Sequence, residues 1–230
     1  MIPIRDTIPS RTAPVVTVAL IILNVIVFLH EAALGPYLER FVMAYGLVPR
    51  RFVYWPGNPL DPARFLPLLT SMFWHGGWLH LLGNMLYLWI FGDNVEDKLG
   101  HFRYLLFYLL AGVVAALTQV MLDPASTLPT IGASGAIAGV LGAYLVSYPR
   151  ARVLTLIPII IFPWFVEIPA FIYLVFWFLL QLIAGVGQLG LPQTGGVAVW
   201  AHIGGFIAGV VLVKLMEPAR RRPTPVRDLY

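Results

Sequence analysis

Charged side chains make up only 11% of this chain, while 59% of its residues are hydrophobic. Soluble domains average about 25% charged and about 45–50% apolar residues. A soluble fold of this size needs a charged skin, and these residues cannot supply one. The chain therefore reads as an integral membrane protein. Its 230 residues leave room for roughly six or seven spans of ~20 residues and little else, so one membrane domain is expected. The absence of cysteine removes disulfides, thiolate nucleophiles and Cys-ligated metals together. The net charge of +4 forms no continuous basic face, so nucleic acid is not an expected partner. In a membrane protein Lys and Arg report topology instead.

Six spans are expected: Pro14–Ala33, Trp78–Phe91, Tyr104–Leu122, Ile131–Tyr148, 168–187 and Val199–Met216. The first is too long for a signal-peptide core and reads as a retained anchor. Residues 34–77 combine Arg40, Arg50, Arg51, Asp61 and Arg64 with many aromatic residues. That mixture predicts a folded interfacial loop rather than a free linker. The apolar run 153–187, which contains Pro158, Pro163, Glu167 and Pro169, has room for one span or two. One span collects eleven of the 15 basic residues on the cytosolic side, including Arg220, Arg221, Arg222 and Arg227 in the tail. A seventh would put those tail arginines outside, against the positive-inside tendency. Residues 153–167 then read as an apolar hairpin lying at or dipping into the cytosolic interface. The expected organisation is a short cytosolic segment (1–13), a membrane domain (14–216) and a basic cytosolic tail (217–230). No internal repeat of the kind found in many secondary transporters is present.

Three small clusters carry the chemistry: His80-Leu81-Leu82-Gly83-Asn84, Gly132-Ala133-Ser134-Gly135 and Ala201-His202-Ile203-Gly204-Gly205. Each lies near the start of an even-numbered span. With the N-terminus inside, those spans run from outside to inside, so all four polar side chains sit roughly 5–10 Å below the outer boundary at 1.5 Å per residue. His80 and Asn84, at i and i+4, share one helix face. Taken alone they are better explained by interhelical hydrogen bonds, worth about 0.6–2 kcal/mol. Ser134 alone is a commonplace residue, and Ala136 stands where a hydrolase nucleophile elbow has its second glycine.

The setting of Ser134 says more than its motif. A helix N-terminus offers unpaired N–H groups and a positive dipole end to a developing oxyanion. Gly135, Gly139 and Gly142 in span four, with Ala201, Gly205 and Gly209 in span six, let two backbones approach closely. Such an approach is plain packing, and it is also what a serine–histidine hydrogen bond of roughly 2.6–3.2 Å requires. The combination predicts Ser134 as nucleophile, His202 as general base, and His80, Asn84 and the Ser134 backbone N–H as oxyanion donors. No carboxylate is placed to orient His202; Glu31 and Asp123 are the only acids near a span on that side. A dyad fits better than a triad.

These clusters, with His75-Gly76-Gly77-Trp78-Leu79-His80 ahead of Asn84 and Phe206 after Gly205, resemble the rhomboid family over about residues 14–216. The resemblance implies an all-α integral membrane protein, a six-transmembrane-helix bundle with a long structured first extracytosolic loop. It implies a serine endopeptidase that cuts single-pass membrane proteins near the extracytosolic face. It assigns Ser134 and His202 to the dyad and His80 and Asn84 to the oxyanion hole. It also implies that Phe171–Trp177 and Gln188–Val199 gate lateral substrate entry, and that Glu96 and Gly100 are structural. Many rhomboids carry a Trp-Arg pair where Leu66 and Pro67 stand here, so loop anchoring to lipid is expected to differ.

No cofactor or metal is expected; the partners are single-pass substrates and membrane lipid. The expected home is a prokaryotic plasma membrane with both termini cytosolic, since no transit peptide or soluble extension is recognised. Two other classes compete. A silent client-binding relative has no need of both Ser134 and His202. A transporter or channel predicts acids at midplane; Glu167 is the only candidate, and it is expected at the cytosolic rim. His30 and His101 read as interfacial, His75 as a partner of the first loop or a supporting neighbour of His80, and Phe176 and Trp177 as lipid-facing or packing residues.

Overall fold

Uninterrupted apolar runs in this chain become helices, and the run broken by prolines becomes a hairpin. The computed structural model describes residues 1–159, 162–188 and 197–218. In chain order come strand β1 (Ile2–Asp6) and helix α1 (Val15–Ala33), then four short helices, α2 (Leu38–Tyr45), α3 (Pro49–Val53), α4 (Pro62–Phe65) and α5 (Pro67–Thr70). The long helices α6 (Trp78–Leu99), α7 (His101–Leu122) and α8 (Ser134–Ser147) follow. Strands β2 (Arg152–Ile159) and β3 (Phe162–Pro169) lead into α9 (Ala170–Gln188) and α10 (Val199–Met216). Among the described residues, α1, α7, α9 and α10 are long and apolar enough to cross a membrane, and α8 is a shorter apolar helix.

The fold is mostly helical but not all-α. Strands β2 and β3 pair antiparallel with Pro158 opposite Pro163, and β1 adds to β2 with Ile2 opposite Leu156. Proline removes helical hydrogen bonds, while the Val, Ile, Thr and aromatic residues between suit a pleated strand. The hairpin expected at 153–167 is therefore present as β-structure, and the first residues of the chain, expected as a separate segment, supply its third strand. Glu167 lies exposed in β3, not in a helix. The tail arginines from Arg220 onward lie outside the described residues.

α6 runs eight residues beyond the expected end at Phe91, carrying Asp93, Glu96, Asp97 and Lys98 within the helix. Glu96 explains the extension. Its fully buried carboxylate accepts from the backbone N–H of Val16 at 2.9 Å, and from the N–H and hydroxyl of Thr17 at 2.8 and 2.7 Å. A carboxylate thus satisfies orphan donors in the first turn of α1 and complements its dipole. Gly100, at φ +79°, makes the reversal from α6 into α7. Both residues are structural, as the resemblance implied.

Residues 34–77 are folded, and Arg51 and Arg64 are engaged within the fold. Arg51 donates to the carbonyls of Met43, Ala44 and Gly46. Arg64 donates from Nε to the Phe52 carbonyl at 2.9 Å and lies 4.9 Å from the centre of the Phe52 ring. At the heart of the bundle α8 and α10 meet backbone to backbone. A methyl placed on Gly205 would stand 2.0 Å from the Gly135 carbonyl oxygen, and one on Gly209 would stand 1.8 Å from that of Gly139. The small-residue faces expected from spacing alone are the faces in contact. Below them Phe91, Tyr104, Phe107, Leu141 and Tyr144 form a core of fully buried side chains.

Candidate active site

Three helix N-termini meet at the end of the bundle opposite the β-sheet. Ser134 is the first residue of α8, and not one turn inside a helix begun at Ile131. Thr130 is pinned to Leu47 by a pair of backbone hydrogen bonds, and the Gly132 N–H donates to the Ser71 carbonyl at 2.9 Å. Gly132 then turns with φ +121°, which an L side chain strongly resists. At 14 residues α8 is ~21 Å long at 1.5 Å per residue. Tyr148, just past its end, donates to the Asn94 carbonyl at 3.1 Å. The helix therefore starts beside His80 and Asn84 and ends level with Asn94, so Ser134 is set inward from the starts of its neighbours.

Ser134 Oγ stands 2.8 Å from Nε2 of His202, the fourth residue of α10. The contact follows from the glycine-to-glycine packing of α8 against α10, which leaves no side chain between the two backbones. His202 is buried, and its other ring nitrogen, Nδ1, lies 2.9 Å from Gln181 Oε1 on α9. Trp177, one turn before Gln181, has its ring 5.8 Å from the His202 ring at 33°. On α7, Gln119 accepts the Ala201 N–H at 3.2 Å, satisfying an orphan donor of the turn that carries His202.

His80 and Asn84 enter from α6. The Gly76 N–H donates to His80 Nδ1 at 3.2 Å. With Nδ1 accepting, the ring proton of the neutral imidazole belongs on Nε2. That nitrogen faces the turn before Ser134: a methyl on Gly132 would lie 2.7 Å from His80 Nε2 and 3.6 Å from Asn84 Nδ2. Asn84 Nδ2 is buried without a hydrogen-bond partner among the described residues. All four side chains expected from the sequence line one cavity of about 740 Å³, together with Trp177 and Tyr87.

His75 is not part of this cavity lining. Its backbone N–H donates to Glu31 Oε2 at 3.0 Å, and its ring packs 5.1 Å from that of His80. Burial, reinforced by the neighbouring His80, pushes the His75 imidazole down to about 4, so it is neutral at physiological pH. Glu31, one of two acids near this side, thus braces the entry to α6 and leaves His202 alone. Sequence reasoning missed Gln181, although it is the lone amide in the apolar stretch between Ala170 and Gly187. Of the two segments expected to gate entry, residues 189–196 lie outside the described residues. Trp177 packs on the imidazole, while Phe171 and Phe176 are exposed.

A helical membrane protein with a serine–histidine pair at a helix N-terminus is the class these features define. A family model for the Rhomboid domain matches residues 62–218, and the chain belongs to the rhomboid family. The family generally comprises serine intramembrane proteases, some members being inactive. The chain is 32% identical over 130 residues to "Presenilin-associated rhomboid-like protein A, mitochondrial" of Danio rerio, covering 55% of this chain and 32% of that protein. It is 31% identical over 156 residues to "RHOMBOID-like protein 5" of Arabidopsis thaliana, covering 66% and 44%. With "Rhomboid protein 1, mitochondrial" of Saccharomyces cerevisiae identity is 28% over 195 residues, covering 81% and 51%. The chain thus spans between about a third and a half of the length of these relatives.

Proposed function

We propose that this chain is an intramembrane serine endopeptidase that uses a Ser134–His202 dyad to cut single-pass membrane proteins near the extracytosolic face. The observation that carries the reading is the 2.8 Å contact between Ser134 Oγ and His202 Nε2 at the wall of a cavity large enough for a peptide segment. Ser134 Oγ attacks the scissile carbonyl carbon while its proton passes to His202 Nε2, which then delivers it to the leaving amine. Water, deprotonated by the same nitrogen, releases the acyl group. The oxyanion formed in each half lies near the Ser134 N–H, His80 Nε2 and Asn84 Nδ2, donors already oriented before charge develops.

The reading includes six spans with both ends of the chain cytosolic. α6 and α8 then cross beside the four helices whose length and hydropathy suffice alone, and the β-sheet lies at the cytosolic interface. Two of the relatives described are named mitochondrial, so they lend the plasma-membrane expectation no support. The proposal requires only a bilayer. Substrate helices unwind locally before attack, because a paired helical amide is closed to the serine; Gly, Ala or Pro near the cut favours this.

The test is cleavage of a tagged single-pass substrate in liposomes by the parent protein and by Ser134→Ala. A fragment made only by the parent, ending near the Ser134 side of the bilayer, is the expected result. Failure of a fluorophosphonate to label Ser134 in folded protein, with no fragment from any substrate, would overturn the reading in favour of a silent client-binding protein.

A further inference from the structure

The dyad leaves one nitrogen unexplained. His202 accepts the serine proton at Nε2 only in the tautomer whose proton sits on Nδ1, and a buried Nδ1–H needs an acceptor. Neither carboxylate near this side supplies it: Glu31 holds the His75 N–H, and no hydrogen bond joins Asp123 to His202 among the described residues. Gln181 Oε1, at 2.9 Å, occupies that place.

The position of Gln181 on α9 is not isolated. Tyr173, Trp177 and Gln181 recur at four-residue spacing and so form one stripe on the helix. The Tyr173 hydroxyl is 2.8 Å from that of Tyr87 on α6. Trp177 packs on the His202 ring and on Phe206 at 6.1 Å. Each residue of the stripe engages the bundle, and two of the three hold the same imidazole. α9 is otherwise the least buried of the four long apolar helices, at 22%, and beside this stripe Phe178 also stacks on Phe206 at 4.6 Å.

We infer that Gln181 is a positioning residue for His202: its carbonyl oxygen accepts the Nδ1–H, fixes the Nε2-basic tautomer and aims the ring at Ser134. This inference rests on the proposed protease activity. The serine proton moves to Nε2, leaving both ring nitrogens protonated; the Nδ1–H bond to Gln181 persists, and the Nε2 proton departs with the amine. An uncharged acceptor orients the imidazolium but compensates its charge less than a carboxylate would. It thereby explains how the site works without a third acid.

The experiment compares the parent with Gln181→Met, Gln181→Asn and Gln181→Glu, each checked for thermal unfolding in detergent. Gln181→Met keeps the length and apolar bulk without the acceptor; it should lower kcat about tenfold or more with KM little changed. Gln181→Asn, one methylene short, should behave like Gln181→Met. Gln181→Glu restores the acceptor and should recover most of kcat. Its negative charge beside Nδ1 should move the acidic limb of the kcat/KM profile to higher pH. The other titratable groups lining the cavity are His80, Tyr87 and Asp123, and they are the same in every variant.

Nitrogen-15 NMR of labelled histidine supplies a readout independent of turnover. The His202 signals, assigned by difference with His202→Ala, should report Nδ1–H in the parent and in Gln181→Glu, and a mixture of tautomers in Gln181→Met. Unchanged tautomer and unchanged kcat in Gln181→Met would overturn the inference, as would equal losses in Gln181→Met and a folded Gln181→Glu. An inactive parent whose Ser134 takes no fluorophosphonate would instead remove the protease reading, and the tautomer measurement would still decide the role of Gln181.

Discussion

Gly205 and Gly135 lie so close that a single methyl on Gly205 would stand 2.0 Å from the Gly135 carbonyl oxygen. The atom in the way is backbone, so no side-chain rotation relieves the clash. This contact sits one residue from Ser134 and three from His202, and the geometry of the site is set by how closely the two helices approach.

Gly205→Ala is accordingly expected to force α8 and α10 apart. Overpacking of this kind costs about 1–3 kcal/mol, and a lengthened Ser134–His202 distance should abolish cleavage before the fold is lost. Gly187, where an added methyl meets nothing within 4 Å, is the control: Gly187→Ala should leave Tm unchanged or slightly raised. Thermal unfolding in detergent beside a cleavage assay checks both.

On the proposed protease reading, Asn84→Ala separates catalysis from stability. Asn84 Nδ2 is buried without a partner among the described residues, so deleting it breaks no hydrogen bond of that group, and Tm should change little. Loss of one oxyanion donor typically costs ~2.7–4 kcal/mol of transition-state stabilisation, or about 10²–10³ in kcat. Steady-state kinetics should place the loss in kcat with KM nearly unaltered. A loss confined to KM would reassign Asn84 to substrate binding.

Glu96→Gln should do the opposite. The variant offers one oxygen and one NH₂ where the carboxylate accepted from Val16, from Thr17 and from the Thr17 hydroxyl. Hydrogen bonds to a charged group are worth roughly 1.5–3 kcal/mol each, so a clear fall in Tm is expected. Amide exchange should quicken at Val16 and Thr17, at the far end of the bundle from Ser134.

Asp6 links β1 to the helices by accepting from the Tyr144 hydroxyl and from Asn94 Nδ2. Burial, reinforced by Asp93 and opposed by the Tyr144 hydrogen bond, pushes its carboxyl up from 3.8 to about 6. The folded chain then holds a proton that the unfolded chain has released. The stabilising contribution is present in acid and is lost as pH rises from about 4 through about 6. Asp6→Asn keeps an acceptor for Tyr144 and cannot ionise. The Tm of the parent relative to Asp6→Asn should therefore fall between about pH 4.5 and pH 7.5. A difference independent of pH would show that Asp6 titrates alike in both states.

Much of the site was legible in the residues. His80, Asn84, Ser134 and His202 were marked by polarity in apolar surroundings, by equal depth and by the glycine spacing that brings α8 to α10. The boundaries of α6 and α8 were less legible. Hydropathy placed the end of span two at Phe91 because the acids beyond it look like solvent-facing residues. They are helical because Glu96 finds two backbone donors and a hydroxyl on another helix. Likewise nothing local announced that Gly132 would delay α8 until Ser134.

The sequence by itself determined that the chain is a charge-poor membrane protein of the rhomboid family, which face of α8 meets which face of α10, and which four polar side chains share a level. Composition, period and spacing are local quantities that carry the membrane, packing and depth readings, while the family rests on the resemblance of the three motifs and on the matched domain. Only the tertiary structure decided that the proline-bearing strands β2 and β3 join the N-terminal strand in a sheet, that Glu96 caps α1, and that Gln181 reaches His202. Each of these joins groups distant in sequence through hydrogen bonds, whose short range and strict direction leave no periodic trace in the order of the residues.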